Sequence, residues 1–176
     1  MSEERDTQVP QPVSAEHAGF SIERCYRASP QRVFAAFSDP TSKRAWFAEG
    51  SGFQIDEYSL DFRIGGREVS VFRMKNAEFE SPAISNDTYF FDIEQDGRIV
   101  FGYSMANVGE VFSVSLTTIT LEPDGTGTKL THVETVQFLD GSDGLRMREW
   151  GTRSLYERLA LELGEEVDAD KLVWKG

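Results

Sequence analysis

Residues 145–164 read LRMREWGTRSLYERLALELG. Apolar side chains fall at Leu145, Met147, Trp150, Leu155, Tyr156, Leu159, Leu161 and Leu163. Leu155, Leu159 and Leu163 keep the i, i+4, i+8 spacing of one helix face, Tyr156 widens that stripe, and Gly164 is a natural stop. What precedes this helix has a different texture. Residues 88–94, 99–105, 110–122 and 128–138 read as strands, separated by the turn signals Gln95-Asp96-Gly97 and Pro123-Asp124-Gly125-Thr126-Gly127. A meander of long antiparallel strands must curl, and its apolar face needs cover. The helix at 145–164 is the one element long enough to provide it.

Further upstream, residues 20–27 alternate with period two and predict a first strand. Ser29-Pro30 sets an N-cap and a first helical residue for a short helix over 31–37, carrying Val33, Phe34 and Phe37. Asp39-Pro40 repeats that signal for a second short helix through Trp46 and Phe47. Strands follow over 53–58 and 68–74, with Gly65-Gly66 marking a bend, bulge or hairpin turn between them. Residues 76–86 are polar, contain Ser81-Pro82, and read as a loop. The order is strand, two short helices, about six strands and one long helix, which is an α+β domain. Three segments follow: a disordered tail over 1–19, a folded domain over 20–164, and an acidic tail over 165–176 that ends near Leu172-Val173-Trp174. The acidic run from Glu162 to Asp170 reads as a solvated helix end.

Composition narrows the function. The 176 residues are 39% hydrophobic and 27% charged, with a net charge of −12. A chain this acidic is not a phosphate-backbone binder, and it is not drawn to an anionic membrane. No run of 18 apolar residues exists, so membrane insertion is not expected. Cys25 is the lone cysteine, and with His17 and His132 it makes a poor metal inventory. The reading is of a soluble, cytoplasmic protein without metal or cofactor, and Cys25 is read as a small buried hydrophobe.

Several motifs, in order, resemble the START-like (SRPBCC) superfamily, and within it the AHSA-type branch named after activators of heat-shock chaperone ATPase. They are Ala28-Ser-Pro-Gln-Arg-Val-Phe-Ala-Ala-Phe-Ser-Asp-Pro-Thr41, Lys43-Arg-Ala-Trp46-Phe47, Phe62-Arg-Ile-Gly-Gly-Arg67, Gly97-Arg-Ile-Val-Phe101, Gly125-Thr-Gly-Thr-Lys-Leu-Thr-His132, and Glu149-Trp150 followed by Leu155. Tyr103 stands where the family has tryptophan, Glu149 where it has glycine, and Glu68 where relatives are often aromatic. The resemblance implies a helix-grip fold: a curved antiparallel sheet of about six to seven strands around a long C-terminal helix, with two short helices after the first strand. It also implies a cavity between sheet and helix. Relatives use that cavity for lipids, sterols, hormones or polyketide intermediates. Some are cyclases, and some members of this branch bind a chaperone.

The candidate lining residues are Trp46, Phe72, Phe91, Phe101, Tyr103 and Phe112, with Trp150 and Tyr156 from the helix; each equally suits plain core packing. On the run over 68–72, the family register turns Glu68, Ser70 and Phe72 inward, whereas apolar logic turns Val69 and Val71 inward. An inward Glu68 would be a general acid or base, or a ligand partner, unless Arg67 or another cation pairs with it. His132 and Glu134 share a strand face, which makes an acid–base pair or an ordinary surface pair. Glu68, Tyr103 and His132 are therefore the candidate catalytic groups. Three functions follow: a binder of a hydrophobic small molecule, a cyclase, dehydratase or hydrolase in the same cavity, and, ranked last, a chaperone-binding protein. A homodimer is left open.

Overall fold

The computed structural model of the protein describes residues 15–50, 52–75 and 78–172. Seven strands form one antiparallel sheet: β1 (Glu16–Tyr26), β2 (Phe53–Leu60), β3 (Arg67–Met74), β4 (Ile84–Glu94), β5 (Arg98–Asn107), β6 (Glu110–Asp124) and β7 (Gly127–Phe138). Their order is β1-β7-β6-β5-β4-β3-β2, so β2 to β7 run as a meander and β1 closes on β7. Between β1 and β2 lie α1 (Pro30–Ser38) and α2 (Pro40–Lys43), the latter running on into a wider π-helical turn over Arg44–Ala48. The long helix α3 (Leu145–Glu162) follows β7. This is the α+β helix-grip arrangement. No helix among the described residues is long and apolar enough to cross a membrane.

Local chemistry sets the short helices. The Ser29 hydroxyl accepts from the Arg32 backbone N–H, and the Asp39 carboxylate accepts from that of Ser42 at 2.8 Å, each ahead of a proline in the first helical turn. Two strands begin earlier than the sequence predicts. β1 starts at Glu16 rather than Phe20, because Glu16 to Gly19 pair with Phe138 to Thr135 of β7. β4 starts at Ile84, because Ser85, Asn86 and Asp87 are laddered on both sides, to β3 and to β5. Two satisfied backbone edges outweigh the polar composition of that stretch. Of the expected tails, residues 1–14 and Val173 to Gly176 lie outside the described residues.

The core joins Ile22, Tyr26, Ile99, Ile119, Leu121 and Leu130 of the sheet to Tyr156, Leu159 and Ala160 of α3, and both to Val33, Phe34, Phe37 and Trp46. Burying each large apolar side chain stabilises by about 1.5–3 kcal/mol. Inward Ile22 and Tyr26 turn Cys25 outward on edge strand β1, where it is exposed rather than buried. Its thiol is raised above the usual range, by desolvation and then by the nearby Asp124 carboxylate. The acidic run after α3 is not simply solvated. Glu162 accepts from the Ser42 hydroxyl at 2.6 Å, and Glu165 accepts from the Arg27 backbone N–H at 2.6 Å, so two carboxylates fasten the end of α3 to α2 and β1.

The double glycine ahead of β3 serves two separate needs. Gly65 has a φ of 78°, in the left-handed region. Gly66 is limited by space, since a Cβ there would run into the Asp61 carbonyl oxygen. Gly65 N–H donates to Phe90 O at 2.8 Å and Phe90 N–H donates to Gly66 O at 3.2 Å, which ties this turn to β4. Gly66→Ala should therefore cost about 2–3 kcal/mol and Gly65→Ala about 1 kcal/mol. Urea denaturation of the two variants checks the order; equal losses would contradict it.

Candidate functional site

The central strands are patterned inside out. On β6, Ser113, Ser115 and Thr117 are buried toward α3, while Val114 and Leu116 face outward, Leu116 at 51% exposure. On β7, His132 and Glu134 are inside and Val133 is outside. On β3, Glu68 and Ser70 are buried, so the strand takes the family register and the valines turn away. On β4, Thr88 and Phe90 are buried and Tyr89 and Phe91 are outside. Apolar alternation fails on these strands because the inner face carries polar chemistry.

That chemistry centres on Arg148 of α3. Its Nη1 donates to Tyr103 Oη and Ser115 Oγ, both at 3.0 Å, and to Glu134 Oε1 at 3.3 Å. Its Nη2 donates to Ser113 Oγ at 2.6 Å and Asp143 Oδ2 at 2.7 Å. Glu134 Oε1 also accepts from Tyr103 at 2.7 Å and Ser115 at 2.8 Å. Its Oε2 lies 3.1 Å from His132 Nε2, and His132 Nδ1 lies 2.7 Å from the Tyr156 hydroxyl. With neutral imidazole, Nε2–H donates to Glu134 and Nδ1 accepts from Tyr156. Phe20 stacks on the His132 ring with centroids 5.5 Å apart.

Electrostatics keep this cluster charged. Burial pushes the Glu134 carboxyl up, but the hydrogen bonds from His132 and Tyr103, with the Arg148 charge, outweigh it and hold it below its ordinary 4.5. Burial works against the Arg148 charge, yet Tyr103, Asp143 and Glu134 hold its guanidinium above the usual range. Burial also drives the Tyr103 and Tyr156 hydroxyls well above the ordinary phenol range, so both remain donors at neutral pH.

A second buried group sits at the β2–β3 edge. Glu68 accepts from the Tyr58 hydroxyl at 2.8 Å and faces the Lys43 ammonium at 3.5 Å. The Lys43 Nζ lies 4.2 Å and 4.4 Å from the ring centres of Phe47 and Trp46. Burial lowers the Lys43 ammonium, and Glu68 partly restores it. Arg67 is not the partner of Glu68; it pairs outward with Asp87.

The sequence candidates separate accordingly. Tyr103, His132 and Tyr156 join the Arg148 cluster, and Glu68 joins the Lys43 group. Ser70, Phe72 and Phe101 are on the inner face, and Trp150 is half-buried on α3. Trp46 is locked among the helices, its indole N–H donating to Ala36 O at 2.8 Å. Phe112 is buried at the β5–β6 bulge, near the end of the sheet. Phe91 is a correction. It is 59% exposed on the outer face, because Phe90 takes the inner place against Phe62 and Phe101. There Phe91 covers Gly102 and lines an open groove of about 940 Å³ with Tyr89, Val114 and Leu116.

Sequence reasoning passed over Arg148 and Lys43. Arg148 lies four and eight residues before Thr152 and Tyr156, on the buried face, and Lys43 lies three and four residues before Trp46 and Phe47. Both spacings are the signal that could have found them.

A buried pair stripped of one partner leaves an uncompensated charge. Arg148→Met should therefore lower unfolding free energy by about 3–5 kcal/mol, and adding Glu134→Leu should return part of that loss, as read by urea denaturation. Because the folded Glu134 value lies below 4.5, its stabilisation is complete above that pH and is lost as pH falls through the lowered value. Glu134→Gln should flatten that part of the acid-unfolding curve, and an unchanged acid limb would contradict the assignment.

The family model described as Activator of Hsp90 ATPase homolog 1-like protein matches residues 27–164. The protein Mll3558 from Rhizobium loti is 47% identical over 85% of this chain and 99% of its own, with a TM-score of 0.75. An uncharacterized protein from Rhizobium leguminosarum is 38% identical over 87% of this chain and 98% of its own, with a TM-score of 0.78. DynU16, a protein of the dynemicin biosynthetic locus, is similar in fold alone, at 20% identity and a TM-score of 0.54 over 83% of this chain and 47% of its own. No curated protein matches the chain in sequence. The matched residues take in all three α-helices and the strands β2 to β7, and the chain belongs to the Activator of Hsp90 ATPase homolog 1-like family.

Proposed function

We propose that the protein binds a hydrophobic or amphipathic small molecule, of lipid, aromatic or polyketide-like character, between the inner face of β3–β5 and α3. The observation that carries this reading is uneven cover. Over β1, β6 and β7 the inner face is sealed, with Ile22, Ile119, Leu130, His132, Glu134 and Val136 all buried. Over β3 to β5, Phe72, Asn86, Phe101, Tyr103 and Met105 stay half-exposed on the same face. On α3, an added Cβ at Gly151 would meet nothing within 4 Å, and we assign that open space to the ligand. A glycine inside a helix costs roughly 1 kcal/mol relative to alanine, so this one trades helix stability for room.

Half-exposed aromatics with a few polar groups are the usual lining of a small-molecule site. Tyr103 brings the edge of the Arg148 cluster to that lining, and Asn86 adds further polar atoms. Glu68 and His132 are already engaged, by Tyr58 and Lys43 and by Glu134 and Tyr156. That favours binding over acid–base turnover at these residues.

Native mass spectrometry of gently purified protein tests the reading. A reproducible added mass is expected on the wild type and is expected to vanish in Gly151→Leu, which fills the space. The same substitution should raise helix stability by about 1 kcal/mol. A clean unliganded mass, with no thermal shift across lipids, aromatics and polyketide-like acids, would overturn it.

A further inference from the structure

We infer that Arg158 is the head-group receptor of this cleft, and that its ligand is an organic monocarboxylate with an apolar body; the inference rests on the cleft being the ligand site. Arg158 lies on α3, seven residues beyond Gly151, or about 10 Å along the helix axis. Ser154 stands between them on the same stripe, small and buried. The Arg158 guanidinium packs flat on the backbone of Gly50. A Cβ placed there would be almost equally close to Cζ, Nη1 and Nη2, at 2.9, 2.9 and 3.1 Å. Its Cζ also lies 5.0 Å from the ring centre of Phe53, which in turn packs edge-on against Phe72. Phe53 and Phe72 are on the inner face, in register with Met74 and Ile55.

The guanidinium is thus held by its faces, and its N–H edge meets no carboxylate and no hydrogen-bond acceptor among the described residues. Arg24, Arg44, Arg63, Arg67, Arg73, Arg98, Arg148 and Arg153 each have a carboxylate partner. Desolvation with no compensating charge lowers the Arg158 guanidinium below its usual value. A half-buried cation left in this state gains from any anion that reaches it. Its rigid fork fits a carboxylate through two parallel hydrogen bonds. One guanidinium in a chain of net charge −12 offsets a single negative charge, which favours a monoanion over a phosphate dianion. The apolar body then runs from Arg158 past Phe72 toward Gly151.

Calorimetric titration of the full chain with straight-chain acids of six to twelve carbons, and with their neutral primary amides, tests this. The wild type should bind the best acid about tenfold or more tighter than its amide. Arg158→Gln should bind the two equally, and Arg158→Lys should fall between, all three keeping the same melting temperature within a few degrees. An Arg158→Gln variant that keeps full preference for the acid overturns the receptor role. Acid and amide binding equally well to the wild type also overturns it, while leaving the cleft as the ligand site. No binding by any member of either series overturns the receptor role alone, and undiminished acid binding in Gly151→Leu overturns both.

Discussion

The buried Arg148–Glu134 pair fixes how α3 lies on the sheet. A guanidinium and a carboxylate taken out of water are tolerable only when nearly every donor and lone pair has a partner. Here Ser113, Ser115, Tyr103, Asp143 and His132 supply those partners, drawn from β5, β6, β7 and the approach to α3. A shift of α3 by one residue would strand the whole set. The pair therefore sets register and depth, whereas Leu159 and Ala160 supply the less directional packing.

That requirement explains why part of the architecture was legible in the sequence and part was not. Caps at Ser29 and Asp39, each followed by proline, the turns at Gly97 and Gly125, and the leucine stripe of α3 are local signals, and each element formed where its signal stood. The faces of the central strands are set by a distant residue. Val114 and Leu116 look like core on periodicity alone, yet Arg148 needs Ser113 and Ser115 beneath it, so the valine and leucine go outside. The inward Glu68 and Ser70 followed from the family likeness and not from apolar pattern. Phe91 was misplaced because it sits next to Phe90, and nothing local says which of two adjacent phenylalanines takes the inner place. Arg148 and Lys43 were passed over because an arginine or lysine on a helix is ordinarily solvated, and only a partner far along the chain makes burial tolerable.

The two buried charge groups also divide the labour of the sheet. Arg148 clamps the β5–β7 side and Lys43 with Glu68 closes the β2–β3 edge. Between them the inner face carries Phe72, Asn86 and Phe101, which stay half-exposed. If that strip is the ligand site proposed above, it escapes the demand for close packing that the flanks meet. Cavities in proteins are costly where they remove core contacts, and this placement puts the open strip where few such contacts are lost.

The outer face carries the complementary consequence. With polar side chains turned in, the strands must turn Tyr89, Phe91, Val114, Leu116 and Val133 out, since alternation leaves no third choice. Phe91 laid over Gly102 recovers some of that loss, because the missing Cβ lets the ring lie on the β5 backbone and shelter its hydrogen bonds to β6. A larger residue at position 102 would lift the ring into solvent and open the ladder beneath it. The apolar groove on the outside and the polar cluster on the inside are thus one choice of strand register, seen from its two faces.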